Sequence, residues 1–119
     1  MSVTVDIWLR GSDVATTATI DEVTHAPSFW TDEDVRLVLE GMLRAMHRTK
    51  HPSDTDAPVA LRGLSWIVNP FEAGGVVIAI EITLGAAVAG PFTIDQRALE
   101  TMITRVIASH TIPPSTTVH

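Results

Sequence analysis

The chain has 119 residues, the length of a single domain, and it contains no cysteine. The absence of thiols excludes disulfides, zinc–thiolate sites, iron–sulfur clusters and a cysteine nucleophile. The formal net charge is −6 and the eight Lys and Arg residues are scattered, which argues against nucleic-acid binding because phosphate neutralisation needs clustered cations.

The first part of the chain predicts a β-hairpin followed by a helix. Apolar and polar residues alternate over 2–9, as in a half-buried strand, and a weaker alternation returns over 14–23. Thr31 with Asp34 three positions later is the pattern of a helix start. Apolar residues then recur every three or four positions, so we expect a helix over 32–48.

The middle of the chain carries the strongest strand signal. The polar segment 50–60 holds two prolines and predicts a loop. The stretch 61–84 follows and predicts a hairpin whose arms are joined by a turn at 69–75. The second arm places five large aliphatic residues on one face: Val76, Ile78, Ile80, Ile82 and Leu84. We expect this hairpin to form the centre of a sheet.

The last part of the chain predicts one more helix. The segment 85–91 is small and apolar, and it fits either a loop or a short fifth strand. Thr93 followed by Gln96 is a second capping pattern, so we expect a helix over 95–109. Two adjacent prolines cannot continue that helix, and 111–119 should form a flexible tail.

Together these elements predict a single α+β domain over 1–110. In the order ββαββα, the simplest packing is a two-layer sandwich, with an antiparallel sheet of about four strands and both helices on one face. The hydrophobic content of 45% and the mean hydropathy of +0.25 are high for a small monomer and indicate that another chain covers apolar surface. The sequence shows no signal peptide pattern and no membrane-length apolar run, so we expect a cytoplasmic protein that does not bind membranes.

If both helices cover one face of the sheet, the other face is open and unusually apolar for a solvated surface. The candidate interface residues on that face are Trp8, Ile67, Val77, Ala79 and Glu81. We interpret the face as a homodimer interface, formed sheet to sheet or through a shared groove. The alternative is that 85–91 or the tail folds back over it. In a dimer that buries Glu81, Arg62 would be a plausible partner for this carboxylate.

The turn at 69–75 is a second candidate for contact with a partner. It carries a Gly-Gly pair but lacks the pattern of a phosphate-binding loop. Its tip presents Phe71 and Glu72, and turns on a rigid scaffold often carry binding residues. These two residues are therefore candidates for contact with another protein.

The signals for metal or acid–base chemistry are weak. His47 and His51 have the spacing of helical metal ligands, but the nearby cations and the helix end favour exposed histidines that interact with the helix dipole. Glu81 would be a candidate general base only if it were buried, and the alternation directs it away from the core. No catalytic or nucleotide-binding motif is present, so our first hypothesis includes neither catalysis nor a cofactor.

Two functions from different classes remain open. The first is a small acidic, non-enzymatic interaction or accessory protein that homodimerises through the open face of its sheet. The alternative is a small-molecule-binding protein or small enzyme with a pocket between helices and sheet. That pocket would lie near Trp66, Met42, Met46 and Met102. A metal protein built on His47 and His51 is a third hypothesis.

Overall fold

A computed structural model of the chain describes residues 2–21, 23–53, 59–61 and 63–111. They form an α+β domain with a five-stranded antiparallel sheet and two α-helices. The strands are β1 (Val3–Leu9), β2 (Thr16–Ile20), β3 (Ser65–Pro70), β4 (Val76–Ile82) and β5 (Gly85–Phe92). The helices are α1 (Asp32–Lys50) and α2 (Gln96–Thr111), and a short 3-10 turn spans Pro27–Phe29.

The order of strands across the sheet is β2-β1-β5-β4-β3. The chain therefore forms a hairpin, β1–β2, and a three-stranded meander, β3–β4–β5, which are joined where β5 pairs with β1. This order places β4 and β5 inside the sheet and β3 at its edge. The prediction that the whole 61–84 hairpin is central is thus correct for β4 and wrong for β3.

The sheet has five strands where the sequence predicts about four, because Gly85–Phe92 forms a strand, one of the two alternatives that the sequence leaves open for 85–91. Its side chains are mostly Ala and Gly, which give little hydrophobic contrast and resemble a loop in the sequence. In the structure Ala87 and Ala89 are fully buried and line the core side of the sheet. Small residues suit this strand because helix α1 lies over it.

The core lies between the helices and one face of the sheet. Along each long strand the buried residues alternate with half-buried or exposed ones, as expected for a sheet covered on a single side. The paired registers place all the buried sheet residues on the same face. They include Val3, Val5, Ile7, Ile20, Val68, Ile78, Ile80, Ala87 and Ala89. The prediction that both helices cover one face agrees with this pattern.

Helix α1 begins with the capping box that the sequence predicts. The Thr31 hydroxyl accepts a hydrogen bond from the Asp34 backbone N–H, and the Asp34 carboxylate accepts one from the Thr31 backbone N–H. Farther along, Gly41 lets the helix approach Ile20 of β2, because a Cβ at this position would lie only 2.8 Å from the Ile20 side chain. The cap and this contact fix the position of α1 on the sheet.

The seam between β1 and β5 depends on Gly85. Its φ is +155°, and a Cβ there would lie 2.2 Å from the Trp8 carbonyl oxygen and 2.8 Å from the Leu9 Cα. Both of those atoms belong to the backbone of β1 and cannot rotate away. Only glycine therefore allows the two halves of the sheet to pair at this point.

Several predictions concern residues outside the described part of the chain. Helix α2 extends through Thr111, and 112–119, which make up nearly all of the expected tail, lie outside it. The same holds for 54–58 within the expected loop at 50–60. Among the described helices, none is long and apolar enough to cross a membrane.

Candidate interaction surface

The candidate site is the face of the sheet that points away from the helices, which we call the open face. It is formed by the residues that alternate with the core positions of all five strands. Trp8 is 41% exposed and Ile67 is 52% exposed on it. Val77 and Ala79 are half-buried and Glu81 is exposed, so the five predicted interface residues all lie on this one face.

The strand registers arrange the open face into rows that run across the sheet. The first row, from β1 to β3, contains Trp8, Ala86, Glu81 and Ser65. The second contains Asp6, Val88, Ala79 and Ile67. Ala86 and Val88 belong to β5 and were not predicted as site residues. The apolar surface is therefore continuous across four neighbouring strands.

The centre of the open face is lower than its sides. The side chains of β4 and β5 in these rows are mainly alanine and valine, whereas Trp8 and Ile67 stand on the strands at either side. A shallow depression of about 380 Å³ lies over β4 and β3, next to β5. Its lining includes Ser65, Ile67, Ala79, Glu81 and Ala86. The open face thus carries a protruding aromatic side chain and a separate concave area.

Few charges lie on the open face. The Arg10 guanidinium donates a hydrogen bond to the Thr83 carbonyl oxygen at 3.0 Å and lies 4.0 Å from the Glu81 carboxylate. The Arg10 and Glu81 side chains are each 66% exposed, so their mutual attraction is weak in water. Arg62, the partner expected for Glu81, lies outside the described residues. Glu81 is exposed in the single chain, so its carboxyl is not buried as that of a general base at this position would need to be.

The predicted contact turn lies at the opposite end of the β3–β4 hairpin from Glu81. Phe71 and Glu72 follow the Pro70–Val76 pair, whereas Glu81 pairs with Ser65 at the other end. Phe71 is 44% exposed, and the turn is closed by a hydrogen bond from the Phe71 N–H to the Gly75 carbonyl oxygen. The structure therefore does not bring this turn together with Trp8.

The two candidate metal ligands lie at the end of α1. The ring centroids of His47 and His51 are 4.9 Å apart. In the described ranges, no group of three or more His, Asp or Glu side chains is placed to hold a metal ion. His51 is the C-cap residue, and its N–H donates to the His47 carbonyl oxygen. Both histidines thus lie at the negative end of the helix dipole, where cations are favoured.

A second cavity, of about 470 Å³, lies between the end of α1 and the β4–β5 turn. Leu43 and His47 line it from the helix, and Ile82 and Leu84 from the sheet. The expected pocket residues lie elsewhere. Met42, Met46 and Met102 are buried in the core, and Trp66 is half-buried against that core.

A third feature is a histidine–carboxylate pair near the start of α1, which the sequence patterns do not indicate. The His25 Nδ1 lies 3.0 Å and 3.2 Å from the two carboxylate oxygens of Asp34. The Trp30 indole N–H donates to the His25 carbonyl oxygen at 2.9 Å, and the Trp30 ring packs edge-on against Phe92. These contacts fasten the segment before α1 to the sheet.

Asp34 is buried, yet its carboxyl stays ionised easily. Desolvation acts to raise the pKa of Asp34, but hydrogen bonds from the Thr31 N–H, from His25 and from the Thr31 hydroxyl outweigh it and hold the pKa below its usual range. A carboxylate that orients a histidine is also found in catalytic and metal sites. Here the carboxylate is part of the capping box, so we interpret the pair as a structural feature.

Asp34→Asn should make the loss of stability in acid shallower. The pKa of Asp34 is lower in the folded chain than the usual value of 3.8. Its contribution is therefore complete above that value and is lost as the pH falls through the folded-state pKa. The variant should also lose about 1–2 kcal/mol near neutral pH through its weaker cap. Urea unfolding from about pH 6 to about pH 2 measures both effects.

The matched control is Asp13→Asn, which changes an exposed acid in the β1–β2 turn. It should leave both the neutral stability and the acid slope close to those of the original chain. An Asp34→Asn variant whose acid slope equals that of the original chain would contradict the assignment.

Comparison with known proteins adds no relative to these observations. The sequence matches no family model and no curated protein, and no solved structure matches the chain. The function must therefore be inferred from the surface itself.

Proposed function

We propose that this protein is a non-enzymatic interaction protein that forms a homodimer through the open face of its sheet. The observation that carries the proposal is the continuous apolar surface across β1, β5, β4 and β3, with Trp8 and Ile67 exposed on it. The largest apolar patch on a protein surface often marks a binding site. Within the described residues, no element packs over it.

The size of the face supports a dimer of moderate affinity. Five strands about 4.8 Å apart and seven residues of about 3.3 Å each give a plan area of roughly 450 Å². A standard interface buries about 800 Å² of accessible surface per partner, so the face is smaller than a standard interface even if all of it is used. We therefore expect dissociation in the micromolar range.

The proposal also covers the expected partner and location. The net charge of −6 suits a basic protein as an additional partner through surfaces that the dimer leaves exposed. A chain without cysteine is compatible with the cytoplasm, where disulfides are rare. We place the protein there as part of the same proposal.

Salt should strengthen the dimer. Two copies that each carry a charge of −6 repel each other at low ionic strength, and added salt screens the repulsion. Between about 10 mM and about 150 mM salt, a Coulomb estimate with Debye screening gives a gain of roughly 2 kcal/mol, or more than tenfold in the dissociation constant. Dilution calorimetry at several salt concentrations measures this constant directly.

The opposite salt dependence would contradict the proposal. If the open face binds a basic partner and not a second copy, diluting the isolated chain would produce no heat of dissociation at any salt concentration. Association that weakens as salt rises would mean that charge pairs, and not the apolar face, hold the copies together.

A small-molecule-binding protein is the second candidate, favoured by the cavity at the end of α1. Its volume of about 470 Å³ lies within the range of ligand pockets, about 300–1,000 Å³. Leu43, Ile82 and Leu84 would contact an apolar group. Native mass spectrometry of the untagged protein tests this candidate, because a stoichiometric small-molecule adduct supports it and a bare dimer favours the first proposal.

A further inference from the structure

We infer that two copies pack face to face about a twofold axis parallel to the strands and close to β5, so that each Trp8 enters the other copy's depression. This inference rests on the proposed homodimer and specifies its arrangement. It is based on the juxtaposition of two features of the open face. Trp8 protrudes on one side of β5, and the depression lies on the other side, in the same row.

The strand order fixes the spacing. Trp8 lies on β1, and the depression lies over β4 and β3 on the other side of β5. Neighbouring strands are about 4.8 Å apart, so Trp8 lies about 5 Å from β5 on one side and the middle of the depression about 7 Å from it on the other. The line midway between them therefore runs close to β5.

A twofold axis along this line exchanges the two sides of the sheet but leaves each row at the same height. Trp8 of one copy is therefore placed over β4 and β3 of the other, next to Glu81 and Ser65 of the same row. The same operation places the second Trp8 over the first copy's depression, which gives the self-complementary contact of a twofold interface. Packed sheets lie about 10 Å apart, a gap that a tryptophan side chain from one sheet fills.

The polar groups of the open face fit the same arrangement. Arg10 already lies 4.0 Å from Glu81 of its own chain. It follows Trp8 on one side of the axis and Glu81 lies on the other, so each Arg10 also comes within reach of the partner copy's Glu81. These are opposite charges, and both side chains are exposed in the single chain. Leaving water strengthens their attraction, so the pair adds charge complementarity to the apolar contact.

Asp6 does not oppose the contact. Its carboxylate accepts a hydrogen bond from the Thr17 hydroxyl at 3.0 Å. Thr17 lies on β2, on the far side of β1 from the axis, so the bond draws the charge toward the edge of the sheet. The remainder of its row is apolar and consists of Val88, Ala79 and Ile67.

A complementation experiment tests the arrangement. Trp8→Ala removes the protruding residue, and Ala79→Trp fills the depression. Each variant alone should dimerise on the order of a thousandfold more weakly than the original chain. In its homodimer both contacts between Trp8 and the depression are lost or blocked. An equimolar mixture should restore a dimer with one copy of each, because Trp8 of the Ala79→Trp chain enters the intact depression of the other chain. Native mass spectrometry distinguishes the three dimers by mass.

The outcomes separate this inference from the proposed function. A monomeric original chain overturns both. If the original chain is a dimer but the mixture forms no mixed dimer, or if Ala79→Trp dimerises normally, the arrangement is wrong while the proposed function stands. Circular dichroism confirms that each variant is folded.

A second measurement does not depend on the Ala79→Trp chain folding. Because the chain has no cysteine, single-cysteine variants can be cross-linked cleanly. Val88→Cys on β5 should lie about 10 Å from its copy, within reach of a short bis-maleimide, whereas Thr19→Cys on β2 should lie about 20 Å from its copy. Cross-linking of Val88→Cys alone supports the axis, and cross-linking of Thr19→Cys in its place overturns it.

Discussion

Trp8→Lys should convert the dimer into a monomer and leave the fold intact. Trp8 is 41% exposed in the single chain, so its removal costs the monomer little. In the proposed dimer each Trp8 would be buried against the other copy, and a lysine would place an unpaired charge there. Losing an aromatic anchor costs about 2 kcal/mol or more at each of the two sites, which raises the dissociation constant about a thousandfold.

Light scattering at micromolar concentration measures this change, and urea unfolding checks the fold. The matched control is Val14→Lys, which places the same charge on an apolar residue that is 71% exposed in the β1–β2 turn. The control should remain a dimer. A Trp8→Lys chain that keeps the size of the original chain would remove the main support for the open face as an interface.

Gly85→Ala should destabilise the fold itself. A Cβ at this position meets the Trp8 carbonyl oxygen at 2.2 Å, and neither backbone can move without breaking the pairing of β1 with β5. Overpacking costs about 1–3 kcal/mol and an unfavourable φ a similar amount, so we expect a loss of about 3–5 kcal/mol. That is a large part of the roughly 5–15 kcal/mol that stabilises a domain.

The comparison for this substitution is Gly11→Ala. Gly11 also has a positive φ, +85°, but a Cβ there meets nothing within 4 Å. Its replacement should therefore show the cost of the backbone conformation alone, about 1 kcal/mol. Equal midpoints of urea unfolding for the two variants would show that the close approach of β5 to β1 does not matter for stability.

Local patterns in the sequence predict most of the elements. The alternation over 2–9 corresponds to β1, and the Thr31 capping pattern corresponds to the start of α1. Both helices end two residues later than predicted, α2 begins one residue later, and the second strand is shorter, Thr16–Ile20. Such differences at element ends are expected because the hydrophobic pattern does not mark the last hydrogen bond.

Long-range features were harder to predict. The pairing of β5 with β1 brings together residues far apart in the chain, and no local pattern encodes that choice. The small side chains of 85–92 conceal the strand further, although Ala87 and Ala89 do alternate with Ala86 and Val88. The strand order, and with it the centre of the open face, therefore could not be derived from the sequence.

The sequence does reveal part of the candidate site. A period of two assigns Trp8, Ile67, Val77, Ala79 and Glu81 to one side of their strands without knowledge of the strand order. Only the placement of β5 adds Ala86 and Val88 to the face and shows that Trp8 and Glu81 share a row. The pair of His25 and Asp34 likewise depends on how the segment before α1 folds back onto the helix start.

Sedimentation equilibrium of the untagged chain tests the central proposal most directly. Run from low to high micromolar concentration at moderate salt, it should show a monomer that becomes a dimer of twice the chain mass, with no larger species. A mass equal to one chain at every concentration would contradict the account, because the apolar open face would then be a stable surface of the monomer.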